Sequence, residues 1–442
     1  MILRFARALG SRAAALTPVR FMGLVLLSRL LLLAALWTAT HGHEISSDVS
    51  MHMGMVREPL SVLLYTHPDY EQNPPFLPFL ETVIGYPLHF GLPDFLTLRL
   101  VMISYETMLA GLFYQLLRQL RVGQWQRGLC LTAFIVLPMG WMTSVVMAQD
   151  EVIAAVAFAV PMLVFISGRR NAALLLCGVG VIAGKLFIGV ELLVFIALCG
   201  RRRLPQNLLL GFAPIVLAYG AMTVHRLVHG LPLPLLGFRP DPIYGANFWE
   251  LVRKYAGVNL SAVGPLSGIL ALSASLIPVV VVYSNRTRPR SGEPDAMTIA
   301  IAANTALLIF LTLFYHVNAE YFIMIMPVLL ATAGGLTDAI CCILISAIPW
   351  AGKFFENATF MATRPAFMAA HADLNSGKAL VFQRYMTVFH SQPGYWLAGC
   401  QLALSILTVL ICIRQCLRLA TVRLPAAAAP DRLLDEETSE RA

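Results

Sequence analysis

Apolar runs long enough to cross a bilayer recur from residue 21 to residue 414, and they leave the chain few ways to fold. A hydrocarbon core of about 30 Å takes roughly 17–25 apolar residues per helix. Inside it, a helix satisfies its own backbone donors and acceptors. Such runs lie near 21–40, 95–117, 128–147, 151–167, 172–184, 186–199, 206–224, 262–283, 297–315, 320–335, 336–351 and 394–414. Those at 172–184, 186–199, 320–335 and 336–351 are short and read as tilted, broken or re-entrant helices, which need protein or a water-filled cavity around them. Only 13% of the 442 residues are charged. A soluble domain carries about 25%, so much of this surface meets something other than water. The expected fold is all-α: a polytopic membrane helical bundle of about 10–12 membrane segments, with a long first extracytoplasmic loop containing short amphipathic helices.

The net charge of +8 does not point to nucleic acid, because the basic residues punctuate the ends of apolar runs, as in Arg201–Arg203 and Arg286, Arg288 and Arg290. That placement is what topology selection by Lys and Arg produces. With a cytoplasmic N-terminus, about 20 of the 32 basic residues fall on inner segments, while most Asp and Glu outside the C-terminal tail map to the other face. The expected organisation is a basic cytoplasmic N-terminus at 1–20 and a membrane module at 21–351. An outer loop at 352–393, a final helix at 394–414 and a cytoplasmic tail at 415–442, disordered at its end, follow. The first helix reads as uncleaved, and a plasma or inner membrane suits the chain. The polar inventory gathers in outer segments 41–94, 225–261 and 352–393. The eight cysteines form no CxxC pair and no Cys/His spacing, so they read as packing residues and no metal ligand is assigned.

Within the outer segments several residues suit chemistry. Asp48, just beyond the first helix, is either a general base for an acceptor hydroxyl or a solvated loop carboxylate. The block 65–76 sets Tyr65, Asp69, Tyr70 and Asn73 among prolines. It suits either a sugar-binding surface of flat rings and directional hydrogen bonds or an interfacial aromatic belt. Gln149, Asp150 and Glu151 interrupt an apolar stretch at a tight outer turn, where acids are either hydrated or functional. Lys185 sits amid an apolar block and must pair with Asp150, Glu151 or Glu191, or meet an anionic ligand such as a lipid phosphate. His316, Glu320 and Tyr321 occupy another short outer turn and suit an anion or hydroxyl, or a helix end. Arg239 and Lys254 supply positive charge for phosphate oxygens, with a surface amphipathic helix at 246–256 as the plain reading.

Taken in order, these features carry a resemblance: Asp48 after the first helix, and an aromatic-proline block ending Asn73-Pro74-Pro75-Phe76-Leu77-Pro78. Next come Gln149-Asp150-Glu151 opening a helix, Gly184-Lys185, Gly257-Val258-Asn259-Leu260-Ser261, and the turn His316 to Phe322 with Pro327. Over roughly residues 21–335 the chain resembles the GT-C superfamily of integral-membrane glycosyltransferases, particularly its polyprenol-phosphate-dependent, mannosyltransferase-like branch. The resemblance implies transfer of a sugar from a polyprenyl-phosphate donor to a lipid, glycan or protein acceptor on the extracytoplasmic face, among membrane lipids. Asp48 would be the base, with the acids Asp150 and Glu151 beside it as catalytic candidates. Lys185, His316 and one of Arg239 or Lys254 would hold the donor phosphate. Tyr65, Asp69, Tyr70, Asn73, Gln149, Glu320 and Tyr321 would line the acceptor or sugar. No nucleotide-binding loop is present in the sequence, as a lipid-phosphate donor allows. No cofactor is implied, and the need for a divalent metal is left open. A transporter or flippase of a lipid-linked or anionic solute is the competing reading, although its ionisable groups would lie nearer the midplane.

Overall fold

A computed structural model of the protein describes residues 15–46, 48–67, 74–200, 203–231, 233, 248–257, 260–284, 294–363 and 393–421. All regular structure among them is helical. Among the described residues, eight helices are long and apolar enough to cross a membrane: Pro18–Thr40, Asp94–Gln119, Gln124–Val146, Leu204–Val228, Gly264–Ser284, Ala296–Leu313, Leu336–Glu356 and Gly394–Thr421. Four shorter apolar helices, Glu151–Ile166, Arg170–Ala183, Leu186–Cys199 and Ala319–Thr332, fall where the sequence predicts short or broken segments, apart from the first, which was expected to span. Their ends follow local chemistry. Thr17 caps the first helix by accepting from the Arg20 amide, Pro18 pre-sets its first turn, and His41 closes it in the left-handed region. Asp295 caps Ala296–Leu313 by accepting from the Thr298 amide at 2.7 Å.

Two boundaries differ from expectation. The segment beginning at Leu336 is a helix of 28 residues, Leu336–Thr363, longer than the short segment expected at 336–351; its apolar span is Leu336–Glu356, and residues 352–363 are helical where a loop was expected. A polar Lys353 and Glu356 ended the apolar run in sequence, but helical propensity carries on past them. The last helix likewise runs to Thr421, not to 414. Among the described residues of segment 41–94, prolines separate three short helices, α1 (Asp48–Arg57), α2 (Pro59–Leu63) and α3 (Leu77–His89).

Small residues set the spacing of the central helices. A Cβ on Gly178 would lie 2.2 Å from the Gly211 carbonyl oxygen, and one on Gly180 would lie 2.8 Å from that of Ala157. Helix Arg170–Ala183 is thereby wedged, backbone against backbone, between Glu151–Ile166 and Leu204–Val228. Two polar ends result. At one, Asp338 accepts from Arg414, and Arg418 donates to the Thr332 carbonyl at 2.6 Å. At the other, the connections after alternate helices converge on the cluster described next.

Candidate functional site

Six separated segments deliver charged side chains to one place. Gln149 Nε2 donates to Asp48 Oδ2 at 3.1 Å and to Ser46 Oγ at 3.2 Å. Lys185 Nζ lies 2.8 Å from Asp150 Oδ2 and 3.4 Å from Glu151 Oε1. Tyr321 is within electrostatic reach of Lys185. Glu320, next to it, pairs with Lys353 at 3.8 Å, and Lys353 also meets Glu356 at 3.4 Å and feels the charge of Asp48. On the remaining side, His52 of α1 contacts Glu81 of α3 at 2.9 Å. Asp150 and Glu151 are 3% exposed and Glu81 is fully buried. Asp48 is half-buried, and the side chains of Lys185 and Lys353 each keep 19% exposure.

The turn that presents Gln149-Asp150-Glu151 is fixed by buried ion pairs from neighbouring helices. A π-helical turn, Met142–Val146, precedes it, and its freed carbonyls need donors. Arg99 supplies them, donating to the Val145 carbonyl at 2.8 Å and the Val146 carbonyl at 3.0 Å. The same guanidinium forks onto Glu44 at 2.8 and 2.7 Å. Glu44 in turn accepts from the amides of Ile45 and Ser46, and Ser46 Oγ accepts from Gln149 and from the Asp48 amide. One arginine thus sets the register of both Asp48 and Gln149. Deeper in the bundle, Arg29 forks onto Glu106 at 2.6–2.9 Å, both fully buried, and Ser144 of the π turn donates to the same carboxylate. Gly140 makes room for this pair, since a Cβ there would sit 2.3 Å from Glu106 Oε1. Ala148 then takes the left-handed conformation at φ 52°, which costs an L-residue about 1–2 kcal/mol. Lys185 leaves its helix just after Gly184, where a Cβ would meet Ala154 Cα at 3.0 Å and Ile188 at 2.7 Å.

Of the residues singled out from sequence, Asp48, Gln149, Asp150, Glu151, Lys185, Glu320 and Tyr321 are brought together. Lys185 takes the pairing with Asp150 and Glu151; Glu191 instead lies 3.8 Å from Cys177 Sγ in the core. His316 stands four residues before Glu320, half-buried, with its ring 6.1 Å from that of Tyr315. Tyr65 packs with Met55, Val62, Met222 and Tyr219, and its carbonyl accepts from Arg226 at 3.0 Å. Lys254 belongs to helix Phe248–Ala256. Asp69, Tyr70, Asn73 and Arg239 lie outside the described residues. His52, Glu81, Lys353 and Glu356, and the supporting Arg29, Glu44, Arg99 and Glu106, were not anticipated. A signal existed for Arg29, Arg99 and Glu106, which interrupt apolar helical runs where a charge needs a partner.

Electrostatics divide the cluster. Burial opposes ionisation of Asp150, but the Lys185 ammonium overcomes it and holds the carboxyl below its ordinary value. Burial likewise disfavours a charged His52, yet the Glu81 carboxylate outweighs this and pushes the imidazole up to about 9. Among the described residues, six carboxylates (Asp48, Glu81, Asp150, Glu151, Glu320 and Glu356) face only two lysines and one histidine. The site combines a half-buried carboxylate, Asp48, whose charge reaches Lys353 and His52, with buried acidic side chains around Lys185. Compared with known proteins, the chain matches no family model and no curated protein.

Proposed function

We propose that the chain is a membrane glycosyltransferase of the GT-C type, moving a sugar such as a mannose-like hexose from a polyprenyl phosphate to an acceptor hydroxyl at the extracytoplasmic face. The observation that carries this reading is the placing of Asp48. It is a half-buried carboxylate held through one oxygen by Gln149, within electrostatic reach of Lys353 and next to the Asp150–Lys185 pair. Glycosyl transfer from a lipid phosphate needs those parts. The acceptor oxygen bonds to the anomeric carbon as its proton passes to Asp48. The bond from that carbon to the phosphate oxygen breaks, and its electron pair leaves on the phosphate. Lys353 and Lys185 would stabilise that charge. A single displacement inverts the anomeric centre. The apolar helices around the cluster suit the polyprenyl chain, and the acceptor class is a lipid, glycan or protein hydroxyl.

The test is incubation of membranes, with and without the chain, with radiolabelled polyprenyl-phosphate sugars. Label should pass to an acceptor only with the chain present. Asp48→Asn should lower the rate by about 10²–10⁴-fold, the usual contribution of a general base. Lys353→Ala should raise the apparent KM for the donor. Full activity in Asp48→Asn would move the base role to Asp150 or Glu151, and no chain-dependent label transfer from any such donor would end the reading.

A further inference from the structure

His52, Glu81 and Asp150 come from three different elements: α1, α3 and the turn that opens helix Glu151–Ile166. One ligand atom from each lies within 4.8 Å of the other two, and all three residues are buried. The details go beyond an ordinary ion pair. His52 Nδ1 is 2.9 Å from both carboxylate oxygens of Glu81. One N–H cannot align with both, and among the described residues the buried Glu81 Oε1 has this ion pair but no hydrogen bond of its own. Two oxygens of a fully buried carboxylate thus share one donor, and the second is under-satisfied. A cation equidistant from the two oxygens would satisfy both. Glu151, beside Asp150, also has a buried oxygen, Oε2, without a hydrogen-bond partner among the described residues.

We propose that His52, Glu81 and Asp150 bind a divalent transition-metal ion. One imidazole with two carboxylates is a donor set for borderline ions of the zinc and manganese kind; thiolate-preferring metals lack their ligands here. Three protein ligands leave a coordination position for a further oxygen, as in catalytic zinc sites. The ion takes the place of the His52 proton, since a ligating imidazole must be neutral. It also adds positive charge beside the acidic side chains of the cluster, which a phosphate-bearing molecule would meet. By drawing on Asp150 it loosens that carboxylate's hold on Lys185 and frees an ammonium donor. The binding site stands on its own residues; only the neighbouring phosphate rests on the glycosyl-transfer reading.

The experiment uses the full chain in detergent or nanodiscs, stripped with a chelator and then titrated with Co²⁺ alone. One equivalent should give visible d–d absorption, and Zn²⁺ should abolish it by displacement. His52→Ala and Glu81→Gln should each weaken binding at least 10-fold, while Asp338→Asn, at the opposite end of the bundle, should bind as the unaltered chain does. Thermal unfolding of each variant separates lost ligands from lost fold. Should both site variants fail to fold, the titration of the unaltered chain decides by itself. Absence of a stoichiometric Co²⁺ spectrum there overturns the proposal, as does unchanged affinity in folded His52→Ala and Glu81→Gln. Stoichiometric binding without sugar transfer would leave the metal site standing and remove the transferase reading; chelator-resistant transfer without binding would do the reverse.

Discussion

A buried charge is tolerated only while its partner stays, and Arg29 and Glu106 are the extreme case in this molecule, with no exposure of either side chain. Glu106→Gln leaves the guanidinium without its counter-charge among apolar helices. We expect a loss of about 3–5 kcal/mol, read as a lower midpoint of thermal unfolding in detergent. The double change Arg29→Met with Glu106→Leu removes both charges and should recover most of that loss, because isosteric apolar pairs replace such bridges with little penalty. Unfolding midpoints of single and double variants that fall together would show that the pair is not the source. Arg99 differs in kind: its guanidinium also binds two carbonyls of the π turn and, through Glu44, aligns Ser46 with Gln149. A lysine cannot reproduce that fork. Arg99→Lys should therefore lower kcat by about 10-fold or more with little change in donor KM, which is the mark of a positioning residue. A rise in KM alone would place Arg99 in donor binding.

At the scale of elements, backbone contact between helices at glycine is the feature most open to attack. Gly178→Ala puts a methyl 2.2 Å from the Gly211 carbonyl oxygen, a backbone atom that cannot swing away. Helix Arg170–Ala183 must then separate from Leu204–Val228, at a cost of about 1–3 kcal/mol for overpacking. Lys185, which follows that helix directly, should shift with it, so transfer activity should fall as well. A variant equally stable and active would mean that the two helices adjust freely. The helices themselves were readable from hydropathy, because a bilayer imposes one length and one composition on each. What hydropathy could not give was Leu336–Thr363 beyond residue 351, since Lys353 and Glu356 look like a loop until Glu320 is seen to pair with Lys353. Asp48, Gln149, Asp150, Glu151 and Lys185 were legible one by one as polar residues beside apolar runs. His52 and Glu81 were not, as they stand 29 residues apart on short helices with no periodic signature and meet only through folding. Arg99 and Glu106, seven apart on one helix, share a face but hold different partners, so their spacing carries no single motif.

Across the whole molecule, charge is segregated by end. The carboxylate-rich cluster closes one end, reached after helices Pro18–Thr40 and Ala296–Leu313 and before Glu151–Ile166. Arg118, Arg121, Arg127, Arg169 and Arg170 lie at or beside the helix ends that lead the other way. If Lys and Arg select the cytoplasmic side, the cluster must open outward. The proposal of an extracytoplasmic site then reduces to one measurable asymmetry. His43 and Arg121 are both exposed, the first beyond the end of the first helix and the second in the connection after Asp94–Gln119. His43→Cys should react with a membrane-impermeant maleimide added to intact cells, and Arg121→Cys should react only after the membrane is opened. The eight native cysteines, none of them exposed, set a low background measured on the unaltered chain. The reverse pattern would turn the bundle over and put Asp48, Lys185 and Lys353 in the cytoplasm. A soluble nucleotide sugar would then reach the cluster as readily as a lipid-linked one, and the argument for a polyprenyl-phosphate donor would lose its footing while the geometry of the charges stayed as it is.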